Sequence, residues 1–144
     1  MRFPVTQDGL GAATGSVPLP LETRQLEDNK SLEAVCQVKA GKGKGTIVTF
    51  AERFPLKGER GTGWFAKPKS AKRHAEEVID GDDWRRLSID VIDGFDFTDC
   101  AGAPDGSILL LERRYRLKYG DPLNGPKMRI RRIGQDELLA RAPI

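Results

Sequence analysis

Ser107-Ile108-Leu109-Leu110-Leu111-Glu112-Arg113-Arg114-Tyr115, entered from the turn Pro104-Asp105-Gly106, is the stretch on which the fold turns. A short apolar run bounded by turn residues reads as a buried strand. An earlier stretch has the same build. Thr46-Ile47-Val48-Thr49-Phe50-Ala51-Glu52-Arg53-Phe54 follows Gly41-Lys42-Gly43-Lys44-Gly45 and also ends in Glu-Arg and an aromatic. Each is preceded by a segment with one acidic residue among small ones, Leu32-Glu33-Ala34-Val35-Cys36 and Thr98-Asp99-Cys100-Ala101. A repeated strand-turn-strand unit marks a radial or stacked β-architecture. Carboxylates recurring at the same place in each copy are expected to converge on one face.

The rest of the chain agrees with a β class. Further strands are expected at Leu21–Leu26, Thr62–Ala66, Ala75–Ile79, Arg86–Ile92 and Lys127–Ile133, with a tight turn at Asp80-Gly81-Asp82-Asp83. Leu87, Ile89 and Val91 alternate with polar neighbours, as do Met128 and Ile130 with Arg129 and Arg131. The one helical candidate is Gln135–Arg141. Residues 1–20 read as an arm or loop and 21–144 as the folded unit. The Gly41–Gly45 run lacks the Gly-Lys-Ser/Thr ending of a phosphate loop and leads into a β-branched strand, so it is a hairpin connection. The 66-residue offset from Glu33 to Asp99 suits a four-stranded propeller blade. Two such blades cannot close a ring of at least about four, so an incomplete ring, a piece of something larger, is expected.

Composition sets outer bounds. A chain of 144 residues is ordinarily one domain. Sixteen glycines and nine prolines favour β structure, and a net charge of +3 is a mild cationic bias rather than a nucleic-acid coat. No apolar run is long enough for a membrane-spanning helix, and the first eight residues show no signal peptide. Two cysteines and one histidine cannot complete a four-ligand zinc site. Cys36 and Cys100 are therefore expected as small buried residues, with a disulfide as the alternative. His74 lies in the basic Lys67–Arg73 neighbourhood and is read as incidental, not as a general base.

Chemistry is sought first among the acids. Glu33, Glu52, Asp99 and Glu112 flank apolar strands, where an acid is costly unless paired or metal-bound. Either Glu52-Arg53 and Glu112-Arg113 make structural ion pairs between blades, or the carboxylates ring a channel and hold Ca²⁺ or another cation bridging phosphate. Asp90, Asp93, Asp96 and Asp99 recur every third residue, which alternates faces in a strand and builds no site unless Asp93-Gly94 turns the chain. If the last two strands pair, Arg114, Arg116, Lys118, Arg129 and Arg131 crowd one face. Solvent, neighbouring acids or a bound anion must offset their repulsion. Nucleic acid is not expected, because Tyr115 and Tyr119 fall on the opposite face and cannot interleave with the basics.

Asn29-Lys30-Ser31-Leu32-Glu33-Ala34, Phe97-Thr98-Asp99, Pro104–Tyr115 and Met128-Arg129-Ile130-Arg131-Arg132-Ile133 together resemble the phytase-like family, described by "esterase-like activity of phytase". The Leu111-Glu112-Arg113-Arg114 block is the firm part. Residues 55–85 match weakly, Ser31 stands where the family favours Gly, and Ala103 replaces a Leu. The family's later acidic elements are expected beyond Ile144. The resemblance implies an all-β, antiparallel propeller fragment of about two blades and a hydrolase of phosphate esters or related esters. It implies a small anionic or ester substrate and Ca²⁺ as the cofactor to test, and it allows a periplasmic or secreted setting. On this reading Glu33, Asp99 and Glu112 are the catalytic and metal-holding candidates, and Arg53 and Arg113 hold substrate phosphate. No Gly-x-Ser-x-Gly elbow supports a serine esterase. The rival reading is a non-catalytic binding or scaffold propeller in which the same charges lock blades together.

Overall fold

The computed structural model describes residues 5–12, 16–26, 31–52, 60–70, 77–115 and 125–140. A small hairpin pairs β1 (Val5–Thr6) with β2 (Gly9–Leu10). The first large sheet is an antiparallel meander of β3 (Leu32–Gln37), β4 (Ile47–Ala51) and β5 (Arg60–Ala66). A side hairpin of β6 (Lys69–Ser70) and β7 (Glu77–Val78) then intervenes before β8 (Arg85–Asp90) completes the order β3-β4-β5-β8. The second sheet is a three-stranded meander of β9 (Asp96–Gly102), β10 (Ile108–Arg114) and β11 (Lys127–Ile133). One short helix, α1 (Gln135–Ala140), follows Gly134. The described structure is therefore all-β with antiparallel sheets and almost no helix. No helix among the described residues is long and apolar enough to cross a membrane.

The two sheets approach most closely at their first strands, β3 and β9. These run side by side in the same direction: Cys36 meets Cys100, and further along Gln37 lies against Gly102. From that line the sheets enclose a core of Ala34, Cys36, Val48, Phe50, Leu87, Ile89, Phe97, Cys100, Ile108, Leu110, Ile133 and the α1 residue Leu138. Phe50 and Phe97 meet edge to face, 5.6 Å between centroids. Close approach here demands glycine. A Cβ on Gly61 would enter the Phe97 ring, and one on Gly102 would strike the Gln37 carbonyl.

A second cluster covers the far face of the first sheet: Ala51, Trp64, Ala66, Ile79 and Trp84, with Val17, Leu26, Leu32 and Ile47 packed on it. Segment 16–26 straps this face. Trp84 Nε1 donates to the Pro18 carbonyl at 2.8 Å and Trp64 Nε1 to Glu22 at 3.2 Å. These bonds satisfy two indole donors that burial would otherwise strand.

Two expectations are corrected here. Leu21–Leu26 is not a strand. Leu21–Gln25 forms a 3-10 turn after Pro20, with the Thr23 amide and hydroxyl both donating to the Pro20 carbonyl. The local bonding of Thr23 satisfies backbone groups that a strand would need a partner to satisfy. Cys36 and Cys100 are buried, but not as free thiols: they form a disulfide across a 64-residue separation. Lys127–Ile133 appears with its expected bounds, and the strands expected at Thr62–Ala66 and Arg86–Ile92 appear as Arg60–Ala66 and Arg85–Asp90. The helix expected from Gln135 is described as Gln135–Ala140, and Asp80–Asp83 closes as a capped 3-10 turn.

Candidate functional site

Glu112 is the most unusual residue of the fold. It lies on the core-facing side of β10, 0% exposed, amid Ile108 and Leu110. An isolated carboxylate there would cost several kcal/mol. Register supplies the remedy, since β11 places Arg129 directly opposite Glu112. Arg129 Nε sits 2.5 Å from one carboxylate oxygen, and Arg131 Nη2 sits 2.6 Å from the other. The Glu112 hydrogen bond, opposed by desolvation, raises the Arg129 pKa still further above its ordinary value.

The same arginines grip the connection from β8 to β9, which joins the two sheets. Arg129 donates to the Ile92 carbonyl at 2.8 Å and pairs with Asp93 at 3.2 Å; Arg131 donates to the Asp90 carbonyl at 2.9 Å. Arg114 donates to the Asp93 carbonyl at 3.1 Å. The Phe95 ring lies under both Arg114 and Arg129, at 4.9 and 4.1 Å. Asp93 and Gly94 both adopt positive φ, which makes the tight turn that brings this loop under the guanidiniums. The described part of the basic strip, Arg114, Arg129 and Arg131, is thus balanced by a buried acid, a loop acid and backbone carbonyls. It is the arginine side of β11 that turns inward, while Met128 and Ile130 stand exposed.

The sequence-predicted residues separate. Glu33 is exposed on β3 and is the extra residue of a β-bulge between Leu32 and Ala34. Asp99 is exposed on β9 beside a second bulge, its carboxylate accepting the Cys100 amide at 2.7 Å. It borders a shallow cavity of about 170 Å³ on the face opposite Glu112, lined also by Leu109, Leu111 and Ile130. Arg113 reaches across to Glu52 at the end of β4, 3.3 Å away. Arg53, Arg116, Lys118 and His74 lie outside the described residues. Glu33, Asp99 and Glu112 do not converge. Among the described residues no group of three His, Cys, Asp or Glu side chains is placed to hold a metal ion. Hard cations need several oxygens in one shell, and Glu112 already spends both of its own on arginines, so the trio does not fit Ca²⁺.

Arg129 and Arg131 are the partners of Glu112 that sequence reading left unassigned. The signal was parity: Glu112 shares a side of its strand with Arg114, so it belongs to the basic face. That whole arrangement is built on the Leu111–Arg114 block and the Arg129–Ile133 strand. Compared with known families, the sequence matches the phytase-like family, described as "Esterase-like activity of phytase", over residues 3–141. The chain belongs to the phytase-like family. No curated protein and no solved structure matches it. Within this phytase-like chain, the block that carries the resemblance is the one that fastens the second sheet to the loop leading out of the first.

Proposed function

We propose that this phytase-like chain forms two consecutive blades of a β-propeller that hydrolyses phosphate esters or related esters. The family match across residues 3–141 carries the reading. The fold supports it: two antiparallel meanders follow one another in the chain, nearest at first strands that run in the same direction. The twin bulges support the assignment of a site face, because a bulge re-aims a side chain and recurs beside active sites. Here each first strand turns a repeated carboxylate, Glu33 or Asp99, out to solvent beside its bulge.

In this reading the substrate is a small anionic ester. Arg113, half exposed and steadied by Glu52, offers its remaining donors to phosphate oxygens together with Arg53. Glu33 and Asp99 are the acids available to orient water, and Glu112 serves architecture instead of chemistry. The test is phosphate release from p-nitrophenyl phosphate and from phytate, with p-nitrophenyl acetate run in parallel. Hydrolysis is expected to drop at least tenfold in Arg113→Ala with little change in melting temperature. A folded parent that turns over none of the three substrates removes the hydrolase reading.

The scaffold reading has its own observation, the consumption of Glu112 by two arginines. Both readings predict that Glu112→Gln lowers stability by about 3 kcal/mol, the low end for breaking a buried pair, since the arginines keep partial exposure. Only the hydrolase reading predicts turnover in the parent.

A further inference from the structure

The line where the two sheets meet is held in an unusual way. β3 and β9 lie side by side, yet they belong to separate sheets, and among the described residues no backbone hydrogen bond joins them. Every other neighbouring pair of long strands is laced by a ladder. In place of a ladder stands one covalent link, Cys36–Cys100, formed by the only two cysteines of the chain. Both residues are buried, at 8% and 9% exposure, and they border Ala34 and Phe97 of the core. The backbone also meets here without side-chain padding, at Gly102 against Gln37.

We propose that this bridge is a redox-dependent latch: a dithiol reductant opens the seam between β3 and β9 while each sheet keeps its own ladder. The two-sheet form then belongs to an oxidising compartment, where such bonds form and persist. In the opening step a thiolate of the reductant attacks one bridge sulfur and forms a mixed disulfide. The other cysteine leaves as thiolate and takes up a proton. The reductant's second thiol then closes its own disulfide and releases the first cysteine, so two electrons pass from dithiol to bridge. With the link gone, non-covalent packing joins the first strands. The Gln135 bonds to the Ala40 carbonyl and the Lys42 amide hold only the β3–β4 connection, and water gains the edge of the core at Phe97.

The experiment uses the whole chain produced under oxidising conditions. Thiol titration after denaturation is expected to find no free cysteine. Dithiothreitol is expected to lower the melting temperature by something on the order of 10 °C, and Cys36→Ser/Cys100→Ser to show the same lowered value without reductant. Hydrogen exchange on the reduced protein should lose protection first along the seam, with β4–β5 and β10–β11 amides still slow. Two free thiols in the oxidised preparation, or equal melting with and without reductant, overturn the proposal. So does a double variant that fails to fold, or protection lost from both sheets together, because either makes the bridge a global requirement and not a latch.

Discussion

Among the described residues, the first sheet is covered on both faces and the second on one. Val48, Thr49, Phe50 and Ala51 of β4 are all buried, although Thr49 is polar and Ala51 small. The matching run in β10, Ile108-Leu109-Leu110-Leu111, is more apolar throughout, yet Leu109 lies 37% exposed and its neighbours on that side, Met128 and Ile130, more so. The difference comes from what covers each sheet. Segment 16–26 and Trp84 cover the far side of β4, whereas no described segment is packed on the far side of β10 in the same way. Apolar content therefore reports what a face could bury, and the chain's own connections decide what it does bury.

The comparison breaks most sharply at the shared core. Leu110→Ala deletes a fully buried side chain between the sheets and should cost about 2–5 kcal/mol in urea melts. A loss under about 1 kcal/mol would show that the inter-sheet core does not hold the fold. Gly102→Ala comes next, since the added methyl meets the Gln37 carbonyl at the seam. Overpacking of this kind costs about 1–3 kcal/mol, and the damage should fall on β3 and β9 amides in hydrogen exchange. Ile130→Ser, on the uncovered face of the same second sheet, should change stability by no more than about 0.5 kcal/mol. A larger loss would mean that something covers this face in solution, and the contrast between the sheets would disappear.

How much of this was readable beforehand follows from where periodicity held. β10 and β11 alternate without interruption, so their pairing and the inward side of Glu112, Arg129 and Arg131 lay within reach of a parity count. β9 does not alternate: Phe97 and Cys100 are both buried because the ladder slips beside Asp99. Strict alternation puts Asp99 on the side of Phe97, toward Glu112, and the bulge turns it to the opposite face. The same device at Glu33 separates it from Ala34 and the core. A bulge adds one residue and leaves no compositional trace when neither neighbour is Gly, so the expected convergence of acids had no way to fail on paper. The 3-10 turn at Leu21–Gln25 was hidden for a similar reason, since its stabilising bonds run from Thr23 back to Pro20 and not to a distant strand. The disulfide was a weighed alternative whose decisive fact, two strands abutting without a ladder, exists only in three dimensions.

The smallest expected effect singles out the cover of the first sheet. Asp83 pairs with Lys69 of β6 and accepts the Asp80 amide at 3.0 Å, closing the turn just before Trp84. The Lys69 hydrogen bond, then the Asp80 amide, hold its carboxyl below the ordinary value of 3.8. A folded-state pKa below the unfolded one means that the stabilisation is fully present above pH 3.8 and fades as pH falls through the depressed value. Asp83→Asn should therefore have a shallower acid limb than the parent below that point and a constant offset above it. Both tryptophans of the chain, Trp64 and Trp84, lie in the cluster under segment 16–26, so their fluorescence follows this cover and not the seam. If acid first loosens the cover, the tryptophan signal of the parent should move at a higher pH than the far-ultraviolet signal of the sheets. Coincident transitions in parent and variant alike would mean that the cover and the inter-sheet core unfold as one unit, and that the two faces of the first sheet are not energetically separate.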